Sequence, residues 1–89
     1  MREHWRERAA CRGWDVSIFY APEDPDTELP AERRRREWRA KEICRRCVVR
    51  EACLEWAILH QEKRGIWGGL TTLERKALMR ERRRLEVSA

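Results

Sequence analysis

Apolar side chains recur along this chain at three- and four-residue intervals, and the pattern predicts four helices and no sheet. The clearest stripe is Val49, Ala52, Cys53, Trp56 and Leu59, on one face of a helix spanning about Val48 to Lys63, so Cys53 faces inward beside Trp56. Before it, Trp38 and Ile43 are the apolar positions of a helix that opens near Pro30 or Ala31. Proline suits a first helical position, and Glu32 lies in the first turn, where negative charge is favoured. A shorter helix runs from about Arg2 to Ala10 and stops at Cys11-Arg12-Gly13, with Gly13 as its C-cap. The last helix opens on a capping box, Thr71-Thr72-Leu73-Glu74, and carries Leu73, Ala77, Leu78 and Leu85 as its apolar stripe.

Two segments interrupt the periodicity. Ala21 to Pro30 holds three prolines and four acids, Glu23, Asp24, Asp26 and Glu28, and reads as an irregular, mobile acidic linker. Gly65-Ile66-Trp67-Gly68-Gly69 packs three glycines into five residues, which demands unusual backbone angles or close approach. The organisation expected is a core over residues 1–70 and a basic helix and tail over 71–89, with no internal repeat.

Size makes the core problem acute. Eighty-nine residues form one small domain, and 42% charged residues leave little apolar mass, so a metal, disulfides or a partner is expected to help hold it. Five tryptophans, Trp5, Trp14, Trp38, Trp56 and Trp67, with Phe19 and Tyr20 supply large anchors, expected mostly in the core. No stretch is long and apolar enough for a membrane span, and the first eight residues lack the apolar region of a signal peptide. A cytoplasmic home is the expectation.

The net charge of +5 is unevenly spread: residues 22–30 carry −4, residues 31–50 carry +6 and residues 71–89 carry +3. This asymmetry suits a nucleic-acid or acidic-protein surface. The run Arg33–Arg36 reads as a solvated face that pairs with its acidic neighbours.

Four cysteines carry the candidate chemistry: Cys11, Cys44, Cys47 and Cys53, spaced C-x32-C-x2-C-x5-C. Outside an oxidising compartment, four cysteines in so short a chain point to metal or redox chemistry. Three lie close in sequence and the fourth returns from the N-terminal segment, as a four-thiolate cage requires. Such a cage suits zinc, a 2Fe-2S or a 4Fe-4S cluster, and the spacing does not resemble paired zinc knuckles. Arg12, Arg45, Arg46 and Arg50 flank the cysteines and would offset an anionic centre. His4 and His60 have no ligand-like spacing. An alternative is a dithiol oxidoreductase using Cys44-x-x-Cys47, which normally requires a βαβ context that is missing here. Another is a zinc-stapled binding module. No phosphate-cradling loop or nucleophile constellation emerges, and Ser17 and Ser88 lack a visible partner, so no enzyme activity is expected.

The segments Ala9-Ala10-Cys11-Arg12-Gly13 with Phe19-Tyr20, Ala40 to Leu54 around Cys44, Cys47 and Cys53, and Gly65-Ile66-Trp67-Gly68-Gly69-Leu70 together resemble the WhiB-like family of actinobacteria and their phages. The resemblance covers nearly the whole chain. One departure is Val48, where family members often carry proline; it loosens the start of the third helix and touches no ligand.

The resemblance implies a helical fold wrapped around one 4Fe-4S cluster on all four cysteines, sensitive to oxygen or nitric oxide. It implies a transcription regulator that docks on region 4 of the principal sigma factor of RNA polymerase. Trp67 would be the docking anchor, held outward by Gly65, Gly68 and Gly69, with Phe19, Tyr20 and Trp5 on the same face. The basic tail, Arg75, Lys76, Arg80, Arg82, Arg83 and Arg84, would then meet the phosphates of promoter DNA without reading sequence. Neither a membrane nor a small-molecule substrate is expected.

Overall fold

A computed structural model describes residues 4–88. It contains three α-helices, α1 (Pro30–Arg45), α2 (Arg50–Leu59) and α3 (Thr72–Ser88), preceded by short 3-10 turns at His4–Arg8, Val16–Ile18 and Pro25–Thr27. Among the described residues there is no strand, only an isolated bridge between Trp67 and Leu70. The all-helical class is as expected, but three α-helices replace the predicted four. The predicted opening of the first helix at Arg2 lies outside the described residues. The remainder winds as a 3-10 turn, because a single apolar anchor in so short a segment cannot sustain an α-helix. Successive tight turns then continue the chain: Ala9 N–H donates to Arg6, Arg12 N–H to Ala9 and Trp14 N–H to Cys11.

The acidic segment is more ordered than its composition suggests. The Asp24 carboxylate accepts from the Asp26 N–H at 3.0 Å, and the Thr27 hydroxyl donates to the Asp24 carbonyl at 2.7 Å. Glu28 then accepts both Nε and Nη2 of Arg36, at 2.7 and 3.2 Å, which fastens the segment to α1. At the start of α1, the Glu32 carboxylate accepts from the Leu29 N–H, and Pro30 opens the helix.

Helix α2 is shorter than its apolar stripe. It begins at Arg50 on Val49, whose side chain cannot cap it. It ends in a paired C-terminal motif: Glu62 N–H reaches Ala57 and Gln61 N–H reaches Ile58, with Gln61 at φ 53°. This motif stops the helix four residues before Lys63. Leu59 is left exposed.

Gly68 and Gly69, at φ 59° and 82°, form the two-residue centre of a tight turn closed by mutual hydrogen bonds between Trp67 and Leu70. Ile66 N–H donates to the Phe19 carbonyl at 2.8 Å, which pins this turn to the N-terminal segment. The core is thin: Phe19, Ala40, Cys44 and Ile66, with Ile18, Tyr20 and Ile43 packed against it.

Helix α3 opens on the predicted capping box, with Thr71 N–H donating to Glu74 and Glu74 N–H to the Thr71 hydroxyl. Its inward face differs from the predicted one. Leu73 and Leu85 are exposed, while Arg75 is buried and Leu78 and Met79 are half-buried. Arg82 reaches Glu55 on α2 through two hydrogen bonds, at 2.7 and 3.1 Å. Lys41 on α1 holds Glu74 at 2.8 Å.

Candidate metal centre

The four cysteines line one cavity of about 270 Å³. Cys11 arrives on the tight turns after the N-terminal 3-10 segment and is exposed. Cys44 sits buried in the last turn of α1, Cys47 in the connection to α2, and Cys53 in the first turns of α2. Consecutive turns from Cys44 to Arg50, Cys47 N–H to Cys44 and Arg50 N–H to Cys47, fold the connection tightly enough to bring three cysteines to one wall. None of the four is in a disulfide.

Backbone N–H groups point at these sulfurs. Ala10 N–H donates to Cys47 Sγ at 3.3 Å, and the N–H groups of Gly68 and Gly69 donate to Cys53 and Cys44. Burial nevertheless wins over these donors. It pushes the Cys53 thiol up to about 11, and it raises Cys44 and Cys11 as well, with the neighbouring cysteines adding to each shift. Several thiols facing one cavity resist ionising together. A cationic metal core among them would reverse that preference, because coordinated sulfur is deprotonated outright.

Two further observations bear on what fits. Among the described residues, no three Cys, His, Asp or Glu side chains converge closely enough to hold a single metal ion. Trp5 also lines the cavity, and its buried Nε1–H has no acceptor. A sulfide-bearing group in the cavity would provide that acceptor, and a buried donor left unpaired is otherwise costly.

Of the flanking arginines, Arg12 and Arg50 line the cavity. Arg45 instead pairs with Glu42 at 2.6 Å, and Arg46 lines a different groove. Arg6, not foreseen from the sequence, lies beside Cys11 and lines the cavity too. His60 stacks on Trp56, away from the thiols, and the side chain of His4 lies outside the described residues.

The aromatic rim departs from expectation. Trp67 does not project freely. Its ring stacks on Trp56 at 5.1 Å and 20°, and its Nε1–H donates to the Arg64 carbonyl at 3.0 Å. Trp56 continues the stack to His60 and tilts against Trp5 at 6.3 Å. The Arg6 guanidinium lies 4.5 to 5.6 Å from the centroids of Trp5, Trp56 and Trp67. Trp5 and Phe19 are buried, so of the four aromatics expected on a docking face only Trp67 and Tyr20 keep exposed surface. Gly65 lies beneath that pair: a Cβ there would meet the Tyr20 ring at 2.6 Å and Trp67 Nε1 at 3.1 Å.

Arg75 is a correction to the expected phosphate-binding tail. It is 2% exposed, and its guanidinium donates to the carbonyls of Gly65, Leu70, Glu62 and Arg64. A side chain held this way ties the glycine turn to α3 and is unavailable to a phosphate. Arg82 and Arg84 are paired with Glu55 and Glu81, whereas Lys76, Arg80 and Arg83 lie on the exposed face of α3. The role of Arg75 was latent in the sequence: its spacing to Leu78, Met79 and Arg82 places all four on one helical face.

Known proteins share this pattern. The family model described as Transcription factor WhiB matches residues 5–78. The transcriptional regulator WhiD of Streptomyces coelicolor is 50% identical over 85 residues, covering 96% of this chain and 73% of that protein. The redox- and pH-responsive transcriptional regulator WhiB3 of Mycobacterium tuberculosis is 46% identical over 77 residues, covering 86% of this chain and 72% of its own. The transcriptional regulator WhiB2 of Mycolicibacterium smegmatis is 41% identical over 78 residues, 88% of this chain and 53% of the relative. The matched span runs from the Trp5 donor through all four cysteines and the glycine turn to the buried Arg75, and on this evidence the chain belongs to the WhiB family of transcription factors.

Proposed function

We propose that this chain is a redox-responsive transcription regulator that holds a 4Fe-4S cluster on Cys11, Cys44, Cys47 and Cys53. In this reading it docks on region 4 of the principal sigma factor through the rim of Trp67 and Tyr20, and meets promoter DNA through the exposed cations of α3. The observation that carries the reading is the convergence of four cysteines, none in a disulfide, on one cavity that is also lined by Trp5, whose buried N–H has no acceptor. A ring of thiols around a cavity suits a polynuclear group better than one ion. Relatives described as redox-responsive support the sensing role.

When bound, the cluster supplies a centre that exchanges electrons and reacts with oxidants. The protein's part is to report on it. Gly68 and Gly69 donate to Cys53 and Cys44 from the same turn that carries Trp67, so a change at those sulfurs reaches the indole across a single residue. Arg75 holds the other side of this turn and begins the basic helix, which places the thiols, rim and tail on one continuous set of hydrogen bonds. Lys76, Arg80 and Arg83 are the α3 cations free to approach phosphate.

Anaerobic purification with metal, sulfide and absorption analysis tests the cofactor. The expected result is about four irons and four sulfides per chain with broad visible absorption. One zinc per chain, not displaced by iron and sulfide, would replace the sensor with a structural zinc module. A pull-down of sigma region 4 by the loaded protein tests the partner. Trp67→Ala should abolish binding and leave the cluster spectrum unchanged; loss of the spectrum would make Trp67 structural.

A further inference from the structure

Two of the five tryptophans are turned away from the cysteine cavity and toward solvent. Trp38, on α1, is 66% exposed, and Trp14, in the N-terminal loop, is 45% exposed. Indoles this accessible are costly in a chain with so little apolar material to bury. They lie along one open depression. Trp38 and Arg39 line both a groove of about 1110 Å³, shared with Arg34 and Arg35, and an adjoining one of about 330 Å³, shared with Trp14 and Arg46. None of these six residues lines the cysteine cavity.

The charge of this face is one-sided. Arg36 is taken up by Glu28, but among the described residues Arg34, Arg35 and Arg46 have no carboxylate partner. The one carboxylate lining the grooves, Glu42, is paired with Arg45. Arg39 places its guanidinium 5.2 Å from the Trp14 ring centroid, covering that indole and leaving part of its surface open. Arg35 and Arg39 on α1, and Arg46 at its C-terminal cap, follow one face over about 16 Å. The groove thus alternates flat indoles with guanidinium groups and offers no enclosed aliphatic pocket.

From this arrangement we infer that the Trp14–Trp38 groove binds single-stranded nucleic acid, with unpaired bases stacked on the two indoles and the backbone phosphates on Arg34, Arg35, Arg39 and Arg46. Stacking on aromatic rings within a basic groove is how single strands are held without sequence preference. A duplex keeps its base faces covered and cannot use the indoles. The site is separate from the sigma-docking rim and from the cations of α3, and goes beyond the function proposed above.

The test is fluorescence anisotropy of a labelled oligothymidylate with the full chain, purified anaerobically. Trp38→Ala should weaken binding about tenfold, the loss expected for one stacked base, and Trp38→Phe should retain most of the affinity. Arg35→Gln with Arg39→Gln should weaken binding and flatten its salt dependence by about 1.4 in logarithmic slope, for two phosphate contacts. Lys63→Gln, an exposed cation outside both grooves and outside α3, should leave oligothymidylate binding within twofold. An equal loss of duplex and oligothymidylate affinity in Trp38→Ala, or indifference of oligothymidylate binding to both Trp38→Ala and the Arg35/Arg39 pair, would overturn the assignment. So would displacement of function to protein docking: binding of polyglutamate, but not of oligothymidylate, with dependence on Trp38.

Discussion

The Arg75 guanidinium donates to the Gly65 carbonyl at 2.7 Å and, through the same nitrogen, to the Leu70 carbonyl at 2.9 Å. These two carbonyls bracket the glycine turn, so one buried cation fixes both ends of the segment that presents Trp67. Removing it leaves several carbonyl oxygens without their donor in a water-poor site. Arg75→Ala is expected to cost about 2–4 kcal/mol of stability, because a charged donor and its partners are lost together. Arg75→Lys should recover only a minor part, since an ammonium cannot span carbonyls that a planar guanidinium reaches at once. Denaturant unfolding of the three proteins measures both numbers; wild-type stability in Arg75→Ala would remove the latch.

Glycine positions in this chain are unequal, and the difference is measurable. A Cβ at Gly68 would lie 2.5 Å from Leu54 Cβ and 2.8 Å from the Arg50 carbonyl, with the backbone at φ 59°. Backbone strain and overpacking against α2 should together cost about 2–5 kcal/mol in Gly68→Ala. Gly13 also has positive φ, but a Cβ there meets nothing within 4 Å. Gly13→Ala should therefore carry only the backbone cost, about 1–2 kcal/mol. Thermal unfolding of the two variants ranks them, and equal losses would contradict the packing argument.

These contrasts show where the sequence was informative. Helix α1, its proline start and the Thr71–Glu74 capping box follow from local chemistry, and local chemistry is what a sequence displays directly. The cysteine set was legible because thiols are scarce and their grouping stands out. The inward face of α3 was not. Leucine periodicity selected Leu73 and Leu85, yet the helix turns Arg75 inward because the glycine turn's carbonyls need a donor, a requirement set by tertiary contacts. The same holds for Trp67: glycine spacing announced a tight turn, but the Trp56 ring that covers the indole comes from α2, eleven residues earlier. Acidic composition suggested a loose linker at residues 21–30, where the pairing of Glu28 with Arg36 across eight positions ties it down.

That pair gives the fold an acid dependence. The Arg36 guanidinium, hydrogen-bonded to Glu28, holds its carboxyl below the ordinary glutamate value, and both side chains are largely buried. A depressed folded-state value means that the pair stabilises above the unfolded glutamate range. Its contribution is lost as pH falls through the lower, folded value. At neutral pH, Glu28→Gln should be less stable than wild type, and the two stability curves should begin to converge near the ordinary glutamate range, about pH 4, and meet only below the lower, folded value. Taking the difference between the curves removes the parallel contributions of Asp15, Glu55, Glu74 and Glu81. A gap that persists unchanged into acid would assign the effect of Glu28 to packing.

Trp5 carries a buried indole nitrogen with no acceptor. In a buried site lined by thiols, an N–H without an acceptor is an unfavourable arrangement unless something in the cavity accepts its proton. With the proposed cluster in place, Trp5 Nε1 joins Ala10 N–H and the two glycine N–H groups as a donor toward sulfur. Hydrogen bonds to cluster sulfurs favour the more negative, reduced state, so each such donor raises the reduction potential. Trp5→Phe keeps an aromatic ring beside Trp56 and Arg6 while removing the donor. Spectroelectrochemical titration of the loaded protein should then find the variant harder to reduce than wild type, at unchanged iron and sulfide content. A potential unchanged in Trp5→Phe, with the cluster intact, would place the indole nitrogen outside the centre's reach and leave Trp5 as packing alone.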